Sequence, residues 1–196
     1  ICSNLNKEME VSSIQEFSRN KDPLILLLGA TGVGKSTLAD LLTRKKLEAK
    51  RSPENPRRVK IIGPSTGMGN LSKTSWPELQ KDSGFAYADC PGFNDNRGKL
   101  QQIKNAISIQ ELLKNPDLIR FVIVDTAASV EDVARGGHFI EMLRGLKKMV
   151  RIPSLSNHVS LVVTQHADDH MDIEHLRAYM GTLSQNSAHY DIADLL

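Results

Sequence analysis

Eight consecutive residues, Gly29-Ala30-Thr31-Gly32-Val33-Gly34-Lys35-Ser36, carry the spacing G-x-x-x-x-G-K-[ST]. Glycines at such a turn let successive backbone N–H groups point inward, where they can surround a chain of phosphates. A helix that follows directly aims its positive end at the same anion. Lys35 is then placed to neutralise the β- and γ-phosphates, and the Ser36 hydroxyl to ligate Mg²⁺. The stretch from Gly29 to Thr37 is therefore the candidate nucleotide-binding segment. A glycine-rich turn with an incidental lysine would share the composition. The apolar run before it and the helical pattern after it favour the phosphate loop. The pattern alone implies a nucleotide without saying which.

A second element, Asp89-Cys90-Pro91-Gly92, follows a short apolar stretch and fits D-x-x-G. An aspartate at a strand end can hold magnesium through a water, and the glycine N–H can sense a γ-phosphate. With these two elements in this order, the sequence resembles the P-loop GTPases of the translation-factor-related class. The run Asp89-Cys90-Pro91-Gly92-Phe93, continued by Asn94-Asp95, is similar to the D-x-P-G-F-x-D version found in septin-like, chloroplast-import-receptor-like and immunity-associated GTPases. The resemblance covers Leu24 to about Leu183.

The resemblance implies binding of GTP or GDP with Mg²⁺ and a threonine between the two motifs that coordinates the metal. Thr74, in Ser72-Lys73-Thr74-Ser75, is the first choice and Thr66 the second. Lys35, Thr74 and Gly92 form the candidate catalytic set, and Ser36, Thr74 and Asp89 the candidate metal set. Guanine selection in this class uses N/T-K-x-D after a later strand. Here Val163 precedes Thr164-Gln165-His166-Ala167-Asp168. Aligning Asp168 puts Gln165 and His166 at the first two positions, while an extra loop residue would make Thr164 the first. The lysine that packs on the base is absent, and the His166 ring could replace it or simply be an exposed loop histidine. The position that holds a water-orienting glutamine in Ras-type enzymes is Phe93, which cannot orient water by hydrogen bonding. Slow hydrolysis follows, or a group supplied by a partner or second copy. Arg97 and Arg135 are local candidates for that group, although solvation is their ordinary role. Relatives of the septin-like and immunity-associated groups often self-associate through the nucleotide face, and the resemblance carries that implication here.

Other reactive residues point less far. His166 and His170 have i,i+4 spacing, but no H-E-x-x-H pattern accompanies them and the stretch crosses a loop. Cys90 reads as a buried structural thiol rather than a nucleophile. Arg144, Lys147, Lys148 and Arg151 complement a helix C-terminus.

Several elements must position these residues. Leu24 to Leu28 is a short continuous apolar run that reads as a strand buried on both faces. Ser36 to Lys46 reads as a helix with Leu38, Leu41 and Leu42 as its apolar stripe. Residues 49–58 read as a loop containing Pro53 and Pro56, and Val59 to Ile62 as a possible strand. Ser65 to Ser83 reads as one long functional loop. Strands follow at Gly84 to Asp89, Leu118 to Val124 and Val159 to Val163. Helices are expected at Leu100 to Leu113, with Ile103, Ile107 and Leu112 buried, at Val130 to Val150, with Val133, Phe139, Ile140, Leu143 and Leu146 buried, and at Ile173 to Leu183. This alternation implies an α/β three-layer P-loop fold with a mainly parallel sheet. Residues just after Leu28, Ala88, Val124 and Val163 should line one crevice at the strand ends.

Composition excludes other classes. The 196 residues are 40% hydrophobic and 24% charged, ordinary for a globular chain. A net charge of +2 and 5% aromatic residues make no case for nucleic acid or an anionic membrane. Two cysteines, Cys2 and Cys90, cannot form a disulfide scaffold and suit a reducing, cytoplasmic compartment. No apolar run approaches the ~20 residues that span a bilayer. The chain divides into an extension, residues 1–22, and a G domain, residues 23–196. Only 28 residues follow Asp168, and the chain starts at Ile1, so a domain cut short within a longer protein is expected. Two alternatives to a GTP-dependent switch or assembly regulator stay open. One is an ATP-using kinase or ATPase, although neither an L-S-G-G-Q loop nor an arginine-rich lid is evident. The other is a catalytically weak nucleotide-binding interaction module.

Overall fold

The computed structural model describes residues 22–51, 59–66, 76–92, 99–114, 118–131, 138–150, 155–165, 173–185 and 187–195. Its elements in chain order are β1 (Leu24–Leu28), α1 (Lys35–Leu42), β2 (Glu48–Arg51), β3 (Val59–Ile62), β4 (Glu78–Asp82), β5 (Phe85–Asp89) and α2 (Lys99–Leu112), followed by β6 (Ile119–Thr126), α3 (Ala127–Glu131), α4 (His138–Met149), β7 (Val159–Thr164) and α5 (Ile173–Gln185). Short 3₁₀ helices cover Leu155–His158 and Ser187–Leu195.

One five-stranded sheet runs β4-β5-β1-β6-β7. β1 lies at its centre, parallel to β5 through Leu26↔Ala88 and to β6 through Leu26↔Phe121. β7 continues the parallel run, with Ile123↔Leu161. Only β4 is antiparallel, and it pairs with β5. The architecture is the expected α/β P-loop fold with a mainly parallel sheet.

The two faces of the sheet are filled differently. Leu24, Leu26 and Leu28 alternate into the main core with Phe121 and Ile123 of β6. Helices α2 and α4 close this face with Ile109, Leu112, Phe139, Ile140, Leu143 and Leu146. α5 adds Leu176, Tyr179 and Met180 at its margin. The opposite face carries Leu27 and Val124, both fully buried, while Ile25 and Val122 are half-buried and Arg120 and Ser160 are exposed.

Several expectations need correction. Residues 65–83 are not one loop, because β4 occupies Glu78–Asp82 within them. Ser83 and Gly84, with φ of 52° and 80°, form a two-residue turn of the kind that pairs antiparallel strands. The pairing comes from the neighbouring strand β5, not from apolar alternation in Glu78-Leu79-Gln80-Lys81-Asp82. Likewise residues 49–51, expected as part of a loop, lie in the strand Glu48–Arg51. It pairs with β3 in a separate two-stranded ribbon, so Val59–Ile62 is a strand outside the main sheet. The stripe of α1 is also different. Its buried residues are Lys35, Ala39 and Asp40, and Leu41 is 58% exposed. The helix begins where the glycine turn ends, and this fixes its rotation whatever its leucines prefer. On α2, Ile103 faces outward and Ile109 takes the core position.

Candidate functional site

Each of the two motifs lies at the carboxyl end of a strand. β1 ends at Leu28 and the glycine turn begins. A Cβ on Gly29 would lie 2.1 Å from the Val124 carbonyl oxygen of β6, so only glycine permits this approach. Gly32 and Gly34 have φ of 85° and 102° and turn the chain into α1, with Gly34 as the left-handed N-cap. Ala30, Thr31 and Val33 complete the turn, and Thr37 lies in the first turn of α1.

Lys35 is buried, and its ammonium folds back over the turn. Nζ donates to the carbonyl oxygens of Gly29 at 3.1 Å and Ala30 at 2.8 Å. Ser36 Oγ donates to Asp89 Oδ2 at 2.6 Å, which joins the two motifs across 53 positions of sequence. Asp89 is fully buried at the end of β5. Gly92 packs against the phosphate-type loop itself, since a Cβ there would lie 2.4 Å from Thr31 Oγ1 and 2.7 Å from the Thr31 backbone nitrogen. Thr31 Oγ1 is buried without a hydrogen-bond partner among the described residues.

The ends of β6 and β7 brace the same loop. Thr164 Oγ1 donates to Val33 O at 2.6 Å and lies 3.2 Å from Asp125 O. Gln165, in the left-handed region at φ 52°, donates from Nε2 to Gly32 O at 3.0 Å. The expected crevice behind Leu28, Ala88, Val124 and Val163 is thus lined by residues in mutual contact. Asp125, the residue just after Val124, is 2% exposed and lies in β6 two residues before α3. Its Oδ1 accepts from Thr126 N at 2.8 Å and its Oδ2 from Ser129 Oγ at 3.0 Å. Thr126 Oγ1 accepts from Ser129 N at 3.1 Å as an N-cap.

Cys90 is fully buried behind Asp89, and burial raises its pKa well above that of an ordinary thiol. The Asp89 charge pushes the same way and Lys35 opposes it. The thiol is therefore a packing group, as expected, and not a nucleophile. Thr66, the second-choice metal ligand, uses its hydroxyl in a turn: Oγ1 donates to Gly63 O at 2.7 Å and accepts from Gly63 N. Thr74, Phe93, Asn94, Asp95, Arg97, Arg135, His166 and Asp168 lie outside the described residues, as does His170. Among the described residues no group of three or more His, Cys, Asp or Glu could hold a metal, and no helix is long and apolar enough to cross a membrane.

Residues 24–165 match the model of one protein family, described as 50S ribosome-binding GTPase. No curated protein matches the chain.

Proposed function

The chain belongs to that GTPase family, and from this premise we propose that it binds GTP and GDP with Mg²⁺ and hydrolyses GTP slowly as a switch or assembly regulator. The observation that carries the reading is the Ser36 Oγ–Asp89 Oδ2 contact of 2.6 Å, beside a buried Lys35 on the same loop. Two hard oxygen donors and an ammonium at one end of a parallel sheet suit a magnesium-bound phosphate chain.

The residues present fit the metal. Ser36 would ligate it and Asp89 would hold it through a water, with Thr74 as a third candidate. Magnesium would neutralise charge on the β- and γ-phosphate oxygens. The chain's own groups do the rest. The amides of Gly29 to Ser36, backed by the N-terminus of α1, bind the phosphates. Lys35 has three donors, so it can retain a loop carbonyl while it turns toward a phosphate oxygen. Gly92 would donate its N–H to the γ-phosphate. Gln165, His166 and Asp168 are the proposed base contacts, and the bonds of Thr164 and Gln165 to the loop support a base-binding segment beside it.

The same reading takes residues 23–196 as the G domain and residues 1–22 as an extension, in a cytoplasmic protein. It favours the septin-like, import-receptor-like and immunity-associated class, with self-association or a protein partner at the nucleotide face. Calorimetry with GTP, GDP, ATP and xanthosine triphosphate tests it. Guanine nucleotides should bind best, and Lys35→Ala should abolish binding. Equal or tighter ATP binding, or wild-type affinity in Lys35→Ala, would overturn the assignment.

A further inference from the structure

One element of the fold belongs neither to the main sheet nor to the site proposed above. The ribbon of β2 and β3 follows the C-terminal end of α1, opposite the end that carries Lys35 and Ser36. Cross-strand partners share a face, so Lys50↔Lys60 stand together on one side of the ribbon and Ala49↔Ile61 and Arg51↔Val59 on the other. All of β2 is exposed, and on β3 Val59 is 57% and Ile61 47% exposed. The stem is fixed nonetheless. A Cβ on Gly63, directly after β3, would fall 2.3 Å from Asp40 Oδ2, and the Ser65 N–H donates to the same oxygen at 2.9 Å.

Two features work against this ribbon standing alone. Two strands by themselves are marginally stable, and the outer edge of β3 pairs with no other strand among the described residues. Lysines directly opposite one another also repel. Glu48 bridges to Lys50 at 3.2 Å and lies 3.9 Å from Lys46, so its charge is taken up on the β2 side. Among the described residues no carboxylate pairs with Lys60 or Arg51. An edge lysine discourages pairing with an apolar or basic strand and admits one that brings a carboxylate. We propose that the outer edge of β3 takes an acidic extended segment of a partner protein as a third strand, with an aspartate or glutamate beside Lys60 and apolar side chains beside Val59 and Ile61. Main-chain hydrogen bonds supply the affinity and the alternating side chains choose the sequence. The incoming carboxylate would lie one strand spacing, about 4.8 Å, from Lys60 and offset the repulsion from Lys50. β2 is the poorer edge, because Glu48 would repel the same acid. The fixed stem presents β3 already formed, so the ordering cost falls on the partner segment. The ribbon lends no residue to the nucleotide site, and the inference does not depend on that reading.

The probe is a short, capped, fluorescein-labelled peptide alternating valine and glutamate, titrated by anisotropy against the whole chain. A second peptide carries lysine in place of glutamate. The glutamate peptide should bind at least about tenfold tighter, and Lys60→Glu should reverse the order. Lys148→Glu makes the same charge change at an exposed site on α4 and should leave affinity within about twofold. N-methylation of alternate amides of the glutamate peptide, on the edge meant for β3, should weaken binding about tenfold, since a methylated amide cannot donate to a ladder. Where Lys60→Glu does not fold, Lys60→Gln and the methylated peptide decide the question. Equal binding of the two peptides, equal losses in Lys60→Glu and Lys148→Glu, or full affinity of the methylated peptide would each overturn the inference. So would a dimer in sedimentation that Lys60→Glu abolishes, because the occupant would then be a second copy of the chain.

Discussion

The contact between Gly92 and the loop at Thr31 gives a prediction that uses fold and site together. In Gly92→Ala the new methyl would lie 2.4 Å from Thr31 Oγ1, 2.7 Å from Thr31 N and 3.1 Å from Thr31 Cα. The hydroxyl could rotate away, but the backbone nitrogen has no such freedom. Gly92 is not among the residues with positive φ, so the contact itself, and not backbone strain, is at issue. To pass 3.0 Å, the loop or the strand end must move by about 0.3 Å, and ordinary contact needs about twice that. Overpacking of a buried site costs about 1–3 kcal/mol. For a chain of this length that lowers Tm by about 2–12 °C. Moving Thr31 also disturbs the amides proposed to bind phosphate. The loss of one charge-assisted bond should raise the Kd for GDP about tenfold or more. Differential scanning fluorimetry and a GDP titration read both effects. Gly181→Ala on α5 is the control, since nothing lies within 4 Å of its Cβ position. It should stabilise the protein by about 0.5–1 kcal/mol. A Gly92→Ala protein with wild-type Tm and GDP affinity would refute the close approach of the two motifs.

Two further outcomes follow from groups away from the phosphates. Cys90 should resist alkylation in the native protein at pH 8 and react fully after denaturation, read by peptide mass spectrometry, because burial and the Asp89 charge both hold its proton. Native labelling at the denatured rate would contradict that burial. At the end of the chain Arg144 pairs with Asp191 at 3.0 Å, and this contact lowers the Asp191 pKa below 3.8. A depressed carboxyl pKa contributes stability above its unfolded value and loses it as pH falls through the folded one. The Tm of Asp191→Asn should therefore lie slightly below wild type at pH 7, converge with it as pH drops below 3.8, and approach it in high salt. A difference that stays constant from pH 7 to pH 3 would refute the pairing.

The legible parts of the sequence are those where local pattern and tertiary role agree. Leu24 to Leu28 is apolar because both faces of β1 are covered, and the glycine that ends it is required by Val124 O. Phe139, Ile140, Leu143 and Leu146 are buried on α4 as their spacing predicts. β4 escaped because a polar edge strand has little apolar alternation, and its signal lies in the partner strand and the Ser83-Gly84 turn. The α1 stripe was misread because Lys35 and Asp40, the residues facing inward, are charged, and burial of charge is visible only through its partners. One clue was present: the aspartate in Leu38-Ala39-Asp40-Leu41-Leu42 interrupts an otherwise apolar run. Asp125 was legible only as the position just after Val124, because its bond to the Ser129 hydroxyl depends on a helix that follows the strand.

Motifs about 60 residues apart meet because the chain changes direction across the sheet at β1. β5 lies on one side of β1 and β6 on the other, and all three run the same way. Their carboxyl ends therefore open at one edge, with the glycine turn between them. Each neighbour then braces the turn by a different device. β6 presses the Val124 carbonyl where only Gly29 can sit. The region at the end of β5 holds Ser36 through Asp89 and backs Thr31 with Gly92. β7 reaches over with the Thr164 hydroxyl and the Gln165 amide, which bind the carbonyls of Val33 and Gly32. These last two bonds are accepted by loop carbonyl oxygens and occupy none of the loop N–H groups. Bracing through carbonyl acceptors suits the phosphate-binding role proposed for this loop, and Lys35 adds to it by donating to the carbonyls of Gly29 and Ala30.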